Sequence, residues 1–317
     1  MNQSEIARKL GISQSSVSLV FRNPATSRVS PEKKALIIEY LKNNPNTNSA
    51  GFKRTWNIGY LTDATQNIRS EFFQESLRGT EETCAVNCYN LMLECQRGKN
   101  INLIKKNKVD GVVVRSGRVY ETLLQQGGTF PAVLLNCSTD VLKYDVVMPD
   151  NRGGMFKLAA FLAQQQIRRC AFLGGNPSYS PFSCNYRERR SAFADACGDS
   201  GLELLTGSIG ADSREVAAAV RETVARWLKL DSPPQAVVTV NHFYAAVIRA
   251  AFPEIPVFAG DNKMETGFED SSFPMLVQDG FAMGKLAVEL LMKRIIEPER
   301  KLVRVNCDME LFIPETL

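Results

Sequence analysis

The sequence predicts an α/β protein: a small all-α head followed by a body of doubly wound parallel sheet. Three observations carry this. Helical periodicity with capping signals fills residues 1–44; from Asn57 onward short β-rich runs alternate with amphipathic stretches; and the formal charge of +4 divides unevenly. Residues 1–55 hold nine Lys and Arg against three acids, a net of +6, while the rest of the chain nets −2. At about 100 to 200 residues per domain, 317 residues make two or three compact units. A basic head on a mildly acidic body points to a polyanion as the head's partner and to a different task for the body.

In the head, Ile6, Ala7 and Leu10 form the apolar stripe of a short helix, and Gly11 ends it. Ser13 is placed to cap a second helix through Phe21, with Val17 and Val20 inward and Gln14, Ser15, Ser18 and Arg22 outward. Ser30-Pro31-Glu32 opens a third helix, with proline at its first position, that buries Ala35, Ile38 and Leu41. The corner at Gly11 suits a left-handed backbone conformation that glycine adopts cheaply. The result is a helix-turn-helix whose second helix can enter a major groove. Gln14 and Ser15, in its first turn, would reach base edges, while Ser13, Ser16 and Ser18 with the nearby cations would hold phosphates. On spacing alone the alternative is a small bundle whose serines are caps and solvated surface. Residues 45–56 read as a hinge, polar enough to order only on a partner.

The body begins at residue 57. Its β-rich runs are Ile58 to Leu61, Tyr89 to Leu93, Gly111 to Val114, Ala132 to Leu135, Cys170 to Leu173, Ala236 to Val240 and Val257 to Ala259. Helical patterns lie near 72–86, 152–165, 186–199, 212–229 and 280–296. Alternation of this kind builds parallel sheet. Such sheets bind ligands at the carboxyl ends of their strands, where Arg115 falls directly after one run. No G-x-G-x-x-G or G-x-x-x-x-G-K-[ST] is present, so neither a dinucleotide nor a nucleoside triphosphate is indicated.

No run approaches the roughly 18 apolar residues that span a bilayer, and the N-terminus lacks a signal peptide's apolar core, so a cytoplasmic protein without membrane contact is expected. Eight scattered cysteines suit reduced thiols. The spacings of Cys84, Cys88 and Cys95 match no standard zinc pattern and no histidine lies nearby, so neither metal nor cofactor is expected. Catalysis through a histidine would have to use His242, the sole one, and no catalytic motif surrounds it in the sequence. A sugar- or nucleoside-processing enzyme with a basic extension stays as the alternative function, although no paired carboxylates or activated nucleophile stand out.

Residues 4–22, SEIARKLGISQSSVSLVFR, followed by Val29-Ser30, resemble the N-terminal signature of the LacI/GalR family of bacterial transcription regulators, D-V-A-x-x-A-G-V-S-x-x-T-V-S-R-V. Pro45-Asn46 resembles the pair that opens the family's hinge helix, and Phe52 falls where a family leucine wedges into the minor groove. Packing of Phe52 on the body is the other reading, since Gly51 weakens a helix there. Leu19 replaces the arginine after T-V-S, and Ser49-Ala50 replace the hinge's alanine-arginine, so the operator preference of relatives does not carry over. Lys53 and Arg54 supply phosphate affinity instead.

The likeness continues more loosely through Asn57-Ile58-Gly59, Phe72-Phe73 with Gly79, Val109-Asp110-Gly111, Asp150-Asn151 with Gly154, Arg189 with Phe193, and Gly201-Leu202. It implies a periplasmic-binding-protein-like body of two lobes joined by three crossovers, with an effector in the cleft. It also implies that Arg189 donates paired hydrogen bonds to the effector, Asp261 accepts from hydroxyls, Asn241 with His242 replaces an asparagine-aspartate pair, Phe72 stacks on an apolar ligand face and Asp150 closes the far side. For Phe72 the bland alternative is core packing, and for Arg189 and Asp261 a surface ion pair. Arg115 and Arg189 together would favour an acidic ligand such as a sugar acid. The implied function is a homodimeric repressor on a near-palindromic operator in double-stranded DNA, controlled by a sugar or sugar derivative.

Overall fold

The structure is a computed structural model that describes residues 3–22, 26, 28–44, 54–63, 70–97, 100–125, 130–137, 143–175, 184–210, 215–262 and 273–314. Asn46, Phe52 and Lys53 lie outside these residues, as does the side chain of Arg22.

The head is three helices, α1 (Gln3–Leu10), α2 (Gln14–Arg22) and α3 (Pro31–Asn43). Ile6, Ala7, Val17, Val20, Val29, Ile37, Ile38 and Leu41 are buried together. The expectation for α3 is corrected at one position: Ala35 is exposed and Ile37 takes the inward place. Burying isoleucine removes more apolar area from water than burying alanine, so the helix settles on its larger side chains.

In the body, β1 (Asn57–Asp63), α4 (Glu71–Val86), β2 (Asn90–Gln96), α5 (Asn102–Lys105), β3 (Gly111–Val114), α6 (Gly117–Gln125), β4 (Ala132–Leu135) and β5 (Asp145–Pro149) come first. Then follow α7 (Asn151–Gln164), β6 (Arg169–Gly175), α8 (Cys184–Asp199), β7 (Glu203–Ile209), α9 (Val216–Leu228), β8 (Ala236–Thr239), α10 (His242–Ala251), β9 (Val257–Ala259) and β10 (Met275–Gln278). The chain ends with α11 (Gly280–Ile296), β11 (Arg304–Cys307) and β12 (Met309–Phe312).

Two six-stranded sheets result, ordered β11-β5-β4-β3-β1-β2 and β12-β10-β9-β8-β6-β7. The first is parallel throughout, whereas β12 runs antiparallel at the edge of the second. The chain passes between lobes three times, after β5, after β10 and after β11. Central strands β3, β4 and β8 are buried along their whole length, as sheet covered on both faces requires.

Helix α11 returns to the first lobe and packs on α4. Side chains at Gly79 and Gly284 would run into the carbonyls of Phe281 and Ser76, so only glycine lets the two backbones approach this closely. The far end of α11 is pinned by a buried pair in which Arg294 Nη2 meets Asp145 Oδ1 at 3.0 Å and Nε meets Oδ2 at 3.1 Å. Such a pair, with both charges hydrogen-bonded, fixes register more than it adds stability.

Candidate nucleic-acid interface and interlobe cleft

At the head's corner Gly11 has φ +65°, and Ile12 N donates to Ala7 O at 3.0 Å, which closes α1 and starts α2 at a fixed angle. Ser13 caps α2: Ser16 N donates to its Oγ at 3.2 Å, and that oxygen also lies 3.0 Å from Ser15 Oγ and 2.8 Å from Ser16 Oγ. Capping thus occupies Ser13 and engages Ser16, while Gln14 and Ser15 stand exposed in the first turn. Ser18 is half-buried, and Leu19 packs against the head's core. Arg54 turns to the body, with Nη1 donating to Tyr89 Oη at 2.7 Å and its guanidinium 5.7 Å from the Trp56 ring.

In the first lobe Phe72 is buried at the start of α4, beneath the Arg115 guanidinium, which lies 5.3 Å from its ring and 5.1 Å from that of Phe73. The ring thus packs as core rather than as an open stacking surface. Asp63 and Ser116 meet at the carboxyl ends of β1 and β3 in a short hydrogen bond. Neither is conspicuous by local pattern.

The second lobe holds the better-defined cluster. Arg189 is 1% exposed; Nε donates to Asn151 Oδ1 at 2.9 Å and Nη1 to Val240 O at 3.1 Å, while Nη1 lies 3.1 Å from Asp261 Oδ2. Asp261 remains 30% exposed and receives Asn262 N at 2.9 Å together with Gln278 Nε2. Asn241 caps α10 by accepting from Tyr244 N at 2.9 Å and donates to Tyr186 Oη at 3.3 Å. Burial, reinforced by the Asp261 carboxylate, pushes the Tyr186 hydroxyl's pKa up, so it stays protonated as a neutral group. His242 is buried, its ring centroid 4.8 Å from that of Phe273. Asp150 caps α7, accepting from Gly153 N at 3.0 Å, so its carboxylate serves the crossover.

A hydrogen-bonded chain joins the lobes. Asn185 of α8 donates to Asn136 Oδ1 at 2.6 Å, and Asn151 donates to Asn185 Oδ1 at 2.8 Å and to Glu188 Oε2 at 2.7 Å. Glu188 also pairs with Arg304 of β11 at 2.6 Å. The structure therefore brings Arg189, Asp261 and Asn241 together and places Phe72 with Arg115 in the opposite lobe. Sequence reading missed Asn136, Asn185, Tyr186 and Gln278. Asn185 and Tyr186 stand four and three residues before Arg189, on the same helical face, which is the signal that could have found them.

Among the described residues no group of three or more His, Cys, Asp or Glu is arranged to hold a metal ion, and no helix is long and apolar enough to cross a membrane. Cys84 is buried, Cys88 half-buried and Cys95 exposed on β2.

Comparison with known proteins gives whole-length likeness. A family model for a periplasmic binding protein-like domain matches residues 159–313. The HTH-type transcriptional repressor PurR of Photobacterium profundum is 23% identical over 96% of each chain, and the ribose operon repressor of Escherichia coli is 24% identical over 93% of each. Among solved structures, a transcriptional regulator CelR-cellobiose complex superposes with TM-score 0.66 at 19% identity over 98% of both chains. A regulatory protein of LacI family from Chloroflexus aggregans gives 0.67 at 19% identity, over 82% of this chain and 97% of that one.

Proposed function

We propose that this chain is a divergent member of the LacI/GalR family of transcription regulators, a repressor whose hold on DNA is set by a small effector in the interlobe cleft. One observation carries the reading: a helix-turn-helix with Gln14 and Ser15 exposed in the first turn of α2 precedes a two-lobed body, and repressors match this arrangement over nearly their whole length. The enzyme alternative falls away, since these relatives are transcriptional repressors.

A single recognition helix reads only a few base pairs, so useful specificity requires two copies on a near-palindromic site. We therefore infer a cytoplasmic homodimer bound to double-stranded DNA. An effector that fits one relative disposition of the lobes better than another shifts the DNA-binding equilibrium, and by linkage DNA shifts effector affinity by the same factor.

The cleft's charges favour a hydroxyl-rich, neutral ligand over the sugar acid suggested by two arginines. Arg189 is already paired with Asp261, Arg115 lies over two phenylalanine rings, and the half-open Asp261 carboxylate presents an acceptor. Cellobiose, held by the CelR complex, is a ligand of this chemistry. Sequencing genomic DNA captured by the full chain, followed by gel shift on the captured fragments, tests the DNA reading. Titration with neutral sugars and matching uronates tests the cleft: tighter uronate binding would overturn the neutral-ligand reading.

A further inference from the structure

Some cations of the body are matched by acids. Arg78 pairs with Glu75 and Glu82, Arg152 with Asp195, Lys157 with Asp308, Arg169 with Glu203 and Arg304 with Glu188. One stretch gathers three lysines within four residues with no acid between them. Lys105, Lys106 and Lys108, in the run Ile104-Lys105-Lys106-Asn107-Lys108, are all exposed, and among the described residues none has a carboxylate within ion-pairing distance.

Their place in the fold follows from connectivity. Helix α5 links the carboxyl end of β2 to the amino end of β3, so its last turn lies at the amino end of the first sheet. That is where the chain enters the body from the head. Asn57 Nδ2 donates to Lys108 O at 2.9 Å, and the Asp110 carboxylate receives Thr55 N at 2.7 Å, Thr55 Oγ1 at 2.9 Å and Trp56 N at 3.0 Å.

The run is also held in shape. Asn107 takes φ +48°, and Lys108 N donates to Leu103 O at 2.9 Å, a helix stop that fixes the backbone on both sides of the turn. Two acids bonded near this stretch already have partners: Asp110 as above, and Glu94 by accepting from Asn102 N, Asn102 Nδ2 and Leu103 N at 2.9 to 3.0 Å. Arg54 lies at the same end, bonded to Tyr89.

We propose that Lys105, Lys106 and Lys108, with Arg54, form a second DNA contact on the body: a basic base that meets duplex phosphates flanking the sequence read by α2. This rests on the DNA-binding reading and extends it from the head to the first lobe. Three unpaired ammonium groups on a fixed turn match the negative charge of a phosphate backbone, and no base needs to be read there.

The test uses the full chain and a captured genomic duplex in two lengths, one trimmed to the protected half-sites and one extended by about one helical turn, roughly 10 base pairs, at each end. K105Q/K106Q/K108Q is expected to weaken binding to the long duplex by about tenfold at low salt and to flatten its log Kd against log salt slope by about 2 to 3. Binding to the short duplex stays at the parent value, and K105R/K106R/K108R restores the long one. An unchanged slope on the long duplex, or equal loss on both lengths, overturns the proposal while leaving the head's role standing. Failure of the parent protein to bind either length overturns the DNA-binding reading and this contact with it.

Discussion

Nε of Arg189 donates to Oδ1 of Asn151 across 2.9 Å, tying the cleft's buried cation to the first residue after the first crossover. The same Asn151 bonds Asn185 and Glu188, which reach the first lobe through Asn136 and Arg304. A change in how the lobes meet is therefore a change in what holds Arg189. Asn151→Ala should strand a buried guanidinium donor and cost about 1 to 3 kcal/mol in urea unfolding. Stability equal to the parent's would show that this contact does not order Arg189.

Arg189→Met removes the cation facing Asp261 and its bonds to Val240 and Asn151. The expected result is loss of the effector's influence on DNA binding, with operator affinity in effector's absence within about threefold of the parent, because the head is untouched. Retained effector response would move the ligand site away from Arg189.

Gln14→Ala should cost about 1 to 3 kcal/mol on the captured site and little on random-sequence DNA, as for loss of a base-edge contact. Equal losses on both, read by fluorescence anisotropy, would make Gln14 a phosphate contact instead.

The Glu188–Arg304 pair joins the lobes at 2.6 Å, with both side chains about one-third exposed. Arg304→Ala should change global stability by less than about 1 kcal/mol. It should nonetheless broaden the distribution of interlobe distances measured between spin labels on α5 and α9. An unaltered distribution would show that the pair does not restrain the lobes.

Burial pushes the hydroxyls of Tyr89, Tyr144 and Tyr244 up to about 12 from an ordinary value of 10.0. An acid whose folded pKa is raised stabilises the fold fully below its unfolded value and loses that contribution as pH climbs through the folded one. The urea midpoint should therefore fall between about pH 10 and 12, with tyrosinate absorbance rising in step. A flat midpoint across that window would contradict the burial of these rings.

Much of this was legible along the chain, and the exceptions have physical causes. Strands β3 and β4 are continuous apolar runs and fall where the sequence predicts them. Strand β5 also lies buried, yet Asp145 and Pro149 at its ends read as loop. Strands β11 and β12 are four-residue, partly exposed elements whose identity comes from pairing with distant residues, such as Asn306 opposite Met148, rather than from their own pattern. In β7, Gly207 interrupts the strand signal. In the cleft, Arg189 was visible through family likeness, but Asn136, with φ +55° at the end of β4, carries no local signal of its partner 49 residues away.

The central claim is that α2 reads a specific DNA sequence, and genomic capture tests it most directly. DNA retained by the full chain, sequenced beside DNA retained by Gln14→Ala, should concentrate at a few near-palindromic sites upstream of genes, and the variant should lose those peaks. Even coverage of the genome, or peaks that persist unchanged in Gln14→Ala, would contradict it.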